Sequence, residues 1–170
     1  EKCSVIAFPS AFLFGAKAGV IKNANWSVCA YNSKMAELFD NAKGYGIAVV
    51  ADSIDENGNF VPQISNLEAL SGFNCRVAEN SEDLFRNAHS ICNGTDVVFI
   101  NWLEKGVAGQ KSVWLKTLEK ISEKYGTTFV LNTAGNGYST HPDFYLQIMG
   151  IVENGQANVY YGFGHSQYCP

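Results

Sequence analysis

Apolar and polar positions follow two different periods along this chain, and the change is clearest between Thr95 and Gly137. Residues 96–102 (DVVFINW) hold a continuous apolar run rich in β-branched and aromatic side chains. That is the pattern of a strand buried on both faces. From Gln110 the period lengthens. Trp114, Leu118, Ile121 and Tyr125 fall on one helical stripe with Leu115 beside them, while Lys116, Glu119, Lys120, Glu123 and Lys124 fill the opposite face. Gly126 stands where a C-cap glycine belongs, and residues 127–131 (TTFVL) read as a second buried strand. Strand, crossover helix and strand over 96–131 make a βαβ unit, which is parallel and right-handed in nearly all cases.

The other segments arrange themselves around this unit. Residues 4–8 read as a strand stopped by Pro9, and 11–21 are apolar without a deciding period. A helix is expected from about residue 27 or 33 to Lys43, with Met35, Leu38 and Phe39 inward and Gly44 at its end. Residues 45–64 form a hairpin around Asn57-Gly58, its return strand marked as an edge by Pro62. A helical turn over 66–73 and a brief strand over 75–78 follow. Asn80 then caps a helix over 81–92, whose stripe is Leu84, Phe85, Ala88, Ile91 and Cys92. A second hairpin, 145–163, turns at Asn154-Gly155. The prediction is an α/β fold in a single domain, 1–170. Its mixed sheet has a parallel centre, antiparallel hairpins at the sides, and helices on the faces.

Composition narrows the function classes. Charged residues make up 16 % of the chain and apolar ones 46 %, with a net charge of −4. No cluster of Lys or Arg supplies the footprint of a nucleic-acid binder. No apolar run reaches the length of a membrane span, since Pro9, Ser10 and Lys17 interrupt the best one. A low-charge chain rich in Asn, Gly and Tyr that starts at Glu1 is compatible with a secreted protein whose leader has been removed, and equally with a boundary cut within a longer chain. Sequons at Asn25 and Asn93 are the glycosylation candidates. None of the five cysteines forms a CxxC, and no Cys/His spacing suits zinc, so neither metal nor cofactor is expected. Oxidising conditions suggest the pairs Cys3–Cys169, joining the termini, and Cys75–Cys92, across a short strand and helix. Cys29 is then the odd thiol, expected to be buried.

Two groups of residues are candidates for chemistry. In open α/β sheets ligands bind beyond the carboxyl ends of the strands. The strands here end in Asp52, in Asn101 and Trp102, and in Asn132, Thr133 and Asn136. The same residues also serve as ordinary turn-formers. The second candidate is Cys29 near a helix start, with His141 or His165 from a loop as its base; the third histidine, His89, sits in the helix over 81–92. Asp52 with Glu104 or His141 is a further acid/base possibility. No phosphate-binding glycine pattern and no G-x-S-x-G is present. Three readings follow. The first is a secreted, disulfide-stabilised, non-catalytic domain that binds a protein or a small polar ligand, such as a carbohydrate, through its Asn/aromatic edge. The second is an extracellular hydrolase using Cys29 or Asp52. The third is a subunit that self-associates through its hairpin edges.

Overall fold

The structure is a computed structural model that describes residues 3–9, 28–102, 107–135 and 144–165. Its elements run β1 (Val5–Ala7), α1 (Val28–Gly44), β2 (Ala48–Ile54), β3 (Phe60–Ser65), a 3-10 turn (Leu67–Leu70), β4 (Cys75–Val77), α2 (Ser81–Arg86), α3 (Ala88–Cys92), β5 (Val97–Trp102), α4 (Val107–Tyr125), β6 (Thr128–Gly135), β7 (Phe144–Glu153) and β8 (Gln156–His165). The mixed α/β class, the parallel βαβ unit and both antiparallel hairpins are present. The strands divide between two sheets. A small one has the order β1-β2-β3 and a large one the order β4-β5-β6-β7-β8. β1–β2 and β4–β5–β6 are parallel, and the remaining pairs are antiparallel.

Side-chain alternation builds four layers from these two sheets. On β2, Val49 and Ala51 face α1, where they pack with Tyr31, Met35 and Ala42. Ala48 and Val50 face the other way, onto Phe99, Val97 and Val130 of the large sheet. On β5 and β6, Val98, Ile100, Phe129 and Leu131 turn outward to Trp114, Leu115, Leu118 and Ile121 of α4 and to Leu84 of α2. The order is α1, small sheet, large sheet, then α2, α3 and α4. Each buried strand is covered on both sides, which is why its apolar run is unbroken.

Local chemistry sets the ends of the elements. Asn80 Oδ1 accepts from the Asp83 amide at 2.7 Å, the cap of α2. The stripe over 81–92 does not make one helix. Asn87 leaves helical geometry (φ −111°, ψ 24°) and divides it into α2 and α3. Asn154 and Gly155 both take positive φ, 50° and 76°, the geometry of a two-residue hairpin turn between Glu153 and Gln156. The Gly155 amide donates to Ser122 Oγ at 3.0 Å and the Ala157 amide to Glu119 Oε1 at 3.0 Å, tying that turn to α4. Gly150, in mid-strand, has φ +145°, and a Cβ there would strike the backbone of Asn158 and Val159.

Candidate functional site

The small sheet lies over only part of the large one. Asp52 of β2 meets Asn101 of β5, the end of β1 meets Asn132 of β6, and β3 lies against β4. The carboxyl ends of parallel strands from both sheets therefore converge in the layer between them. A polar cluster closes the apolar core there.

Asp52 and Asn101 are each 1 % exposed. Asn101 Nδ2 donates to Asp52 Oδ1 at 2.5 Å. An ionised carboxylate can only accept, so it fixes which way the amide faces. Asn101 Oδ1 must then point away from Asp52, and it is buried without a hydrogen-bond partner among the described residues. Leaving such a group unsatisfied costs about 1–3 kcal/mol. The end of β2 is held firmly. Asn32 of α1 donates through Nδ2 to the Ile54 carbonyl and accepts the Ile54 amide on Oδ1, both at 2.8 Å. Beside it Tyr31 is fully buried, edge-on to Phe60 with ring centroids 5.7 Å apart. Burial, and secondly the charge of Asp52, push the Tyr31 hydroxyl's pKa well above its ordinary value.

Asn132 spans the sheets in the same layer. Its Nδ2 donates to the Ala7 carbonyl at 2.6 Å, and its Oδ1 accepts from Gln147 Nε2 at 2.9 Å. The register of β5 against β6 slips between Ile100 and Trp102, so that Asn132 and Thr133 both stand opposite Asn101. Thr133 turns to the helix side, where its buried hydroxyl donates to the Ile148 carbonyl at 3.3 Å. Trp102 is half-buried at the end of β5, paired with Ala134. Of the residues expected at this edge, then, Asp52, Asn101 and Asn132 come together in the layer between the sheets. Thr133 lies on the opposite face, and Asn136 falls outside the described residues. Asn32 and Gln147 were not singled out as site residues by the pattern. Gln147 carries a readable signal all the same, as the one polar residue in the otherwise apolar stretch YLQIMGIV.

The cysteine expectations fail for a geometric reason. Cys75 and Val77 point into the layer between the sheets, whereas Cys92 packs with α4 on the far side of the large sheet. A sheet thus separates the two sulfurs. Both are free thiols, and burial chiefly pushes their pKa values up. Cys3 is also free and exposed, its Sγ 3.2 Å from the Val5 carbonyl, and Cys169 falls outside the described residues. Cys29 is exposed on the first turn of α1 rather than buried. Tyr31, two residues on, faces the core, so Cys29 looks away from the cluster. His89 is exposed on α3 beside Tyr125, ring centroids 5.9 Å apart, on the helix side of the large sheet. His141, Glu104, Asn25 and the His165 side chain lie outside the described residues, while Asn93 is exposed at the end of α3. Among the described residues no group of three or more His, Cys, Asp or Glu is placed to hold a metal, and no helix is long and apolar enough to cross a membrane.

No protein-family model and no curated protein matches the chain. Solved structures do match its shape. The chain is similar to part of the glutamine-dependent NAD+ synthetase from Acinetobacter baumannii, solved with ADP. Identity is 12 %, the TM-score is 0.54, and the match covers 94 % of this chain and 39 % of the synthetase. A cysteine-to-serine mutant of the Nesterenkonia AN1 amidase, from the nitrilase superfamily, aligns over 94 % of this chain and 76 % of its own at 15 % identity and a TM-score of 0.47. At such identities the likeness is one of fold, and the chain spans well under half of the synthetase. These findings correct the first reading of the sequence. The four cysteines that the structure describes are all free thiols, and the synthetase whose fold the chain shares in part is an enzyme. A secreted, disulfide-stabilised, glycosylated domain with a purely binding role has no support in them.

Proposed function

We propose that the cluster between the sheets is the site of an enzyme acting on a small polar molecule that carries a carboxamide. The observation that carries this reading is Asn101 Oδ1: a buried acceptor without a partner among the described residues, fixed in orientation by a buried carboxylate, at the carboxyl ends of parallel strands. Such an acceptor selects a ligand with an N–H to give, and a primary carboxamide has two. Asp52 is the ionisable group beside it. In amide hydrolysis Asp52 takes a proton from the attacking water as its oxygen bonds to the amide carbon. It returns that proton to nitrogen as the C–N bond breaks, leaving a carboxylic acid and ammonia. Support from the fold is the likeness to part of a synthetase described as glutamine-dependent.

The test uses glutamine, asparagine and propionamide as probes. At least one should raise the melting temperature and release ammonia. Asp52→Asn should keep the circular dichroism spectrum and lose the release. If none of these amides shifts the melting temperature or yields ammonia with the wild-type chain, the reading is wrong.

A further inference from the structure

Among the described residues the two sheets have four edges, and three of them are blunted. β1 and β4 are three residues long, and β4 carries Arg76; β3 contains Pro62. Short strands, charges and prolines are the devices that keep sheet edges from pairing with other chains. β8 has none of them. It is ten residues long, QANVYYGFGH, without Asp, Glu, Lys, Arg or Pro, and its outer side pairs with no strand among the described residues. Tyr160 is 76 % exposed on it and Tyr161 42 %. The protection is selective, and the one long edge lacks it.

The neighbouring surface continues the pattern. The small sheet lies over β4, β5 and β6, so β7 and β8 extend beyond it. Met149 and Ile151 on β7 share the face of Gln147, away from the α4 core, and are 39 % and 42 % exposed. Tyr160 stands opposite Met149 and extends this apolar strip to the edge.

We infer that β8 is a self-association surface, pairing antiparallel with β8 of a second copy so that the two large sheets become one of ten strands. The occupant follows from β8 itself. An antiparallel strand is its own complement across a two-fold axis, and an uncharged one brings no like charges together. The register is also constrained. A two-fold perpendicular to the sheet keeps each face on its own side, so opposed residues must have the same orientation. The axis therefore passes through a residue and not between two. Centring the ten-residue strand leaves Tyr160 and Tyr161 equally placed, and the apolar strip that runs from Met149 to Tyr160 selects Tyr160, with Tyr160 against its own copy and Asn158 against Gly162. Across that axis the apolar strips of the two copies join.

Sedimentation velocity over a wide concentration range tests this, with hydrogen exchange as a second readout. The wild-type chain should dimerise, with extra protection of amides in β8. Tyr160→Lys and Tyr160→Glu, both at an exposed side chain, should each be monomeric and keep the wild-type circular dichroism spectrum. Mixing the two should restore a dimer, because Lys then faces Glu across the axis. Any of three results overturns the inference: a wild-type chain that stays monomeric, a dimer that survives Tyr160→Lys, or a mixture that stays monomeric.

Discussion

The two ends of β5 and β6 are both polar, each with buried polar side chains, and they are built in opposite ways. At the amino ends the two buried hydroxyls both have acceptors. Thr95 Oγ1 donates to the Ile91 carbonyl at 2.7 Å, and Thr127 Oγ1 shares its proton between the carbonyls of Cys92 and Thr95 at 3.0 and 2.9 Å. Asp96 accepts the Asn74 amide at 2.7 Å, and Asn74 Nδ2 donates to the Gly94 carbonyl at 2.6 Å. This network is closed, and its work is to join α3 to the strands that follow. At the carboxyl ends Asn132 is satisfied, while Asn101 is held by one hand only. Residue type alone does not separate architecture from site. The state of the hydrogen-bond account does.

The sharpest way to break this contrast is Asp52→Asn. With one buried charge removed and the shape kept, turnover should drop by about 10²–10⁴-fold, while the melting temperature holds or rises. A loss of fold would move Asp52 into the structural class. Asn101→Ala takes away the amide that faces a buried carboxylate, and it should lower stability by about 2 kcal/mol, read from urea unfolding. Thr127→Val, at the closed end, should cost about 1–2 kcal/mol and leave amide binding unchanged; weaker binding would show that the two ends are coupled. The smallest effect is expected from Tyr31 in alkali. Its folded pKa is raised, so the unfolded chain ionises first. The stability involved is fully present below the ordinary tyrosine pKa and is lost as the pH climbs from there toward the folded value. Tyr31→Phe should remove that part of the alkaline loss, and Asp52→Asn should reduce it, as thermal melts across the alkaline range would register.

Much of this was legible in the sequence. Trp114, Leu118 and Ile121 mark the inner face of α4, Asn80 marks the start of α2, and Asn154-Gly155 marks the second hairpin. Each signal is local and rests on side chains a few residues apart. The division into two sheets was not legible. A strand such as β2 reads as a continuous apolar run whether its faces meet two helices or a helix and a second sheet. Asp52 and Asn101 therefore belong to different sheets, although the pattern suggested one edge. The cysteine pairing failed on a similar point. In β4 the side chains alternate, so being next to the helix in sequence put Arg76, and not Cys75, on the side of α3, where its Nη1 donates to the Ser90 carbonyl at 3.2 Å. The exposure of Cys29 turned on helix phase, which the uncertain start of α1 left open.

The bond between Asn132 and the Ala7 carbonyl also bears on time. It joins residues 125 apart in the chain, while the hairpin of β7 and β8 and the turn of β2 into β3 close over short loops. Loop closure slows as the chain between two contacts lengthens. The large sheet can assemble on α4 from neighbouring segments, whereas the layer between the sheets waits for β1 to return from the far end of the sequence. The candidate site is thus among the last parts of the molecule to be made. In reverse, release of β1 exposes Asn132 while the β7–β8 hairpin stays intact. Pulse-labelling hydrogen exchange during refolding should show amides of β7 and β8 protected before those of β1.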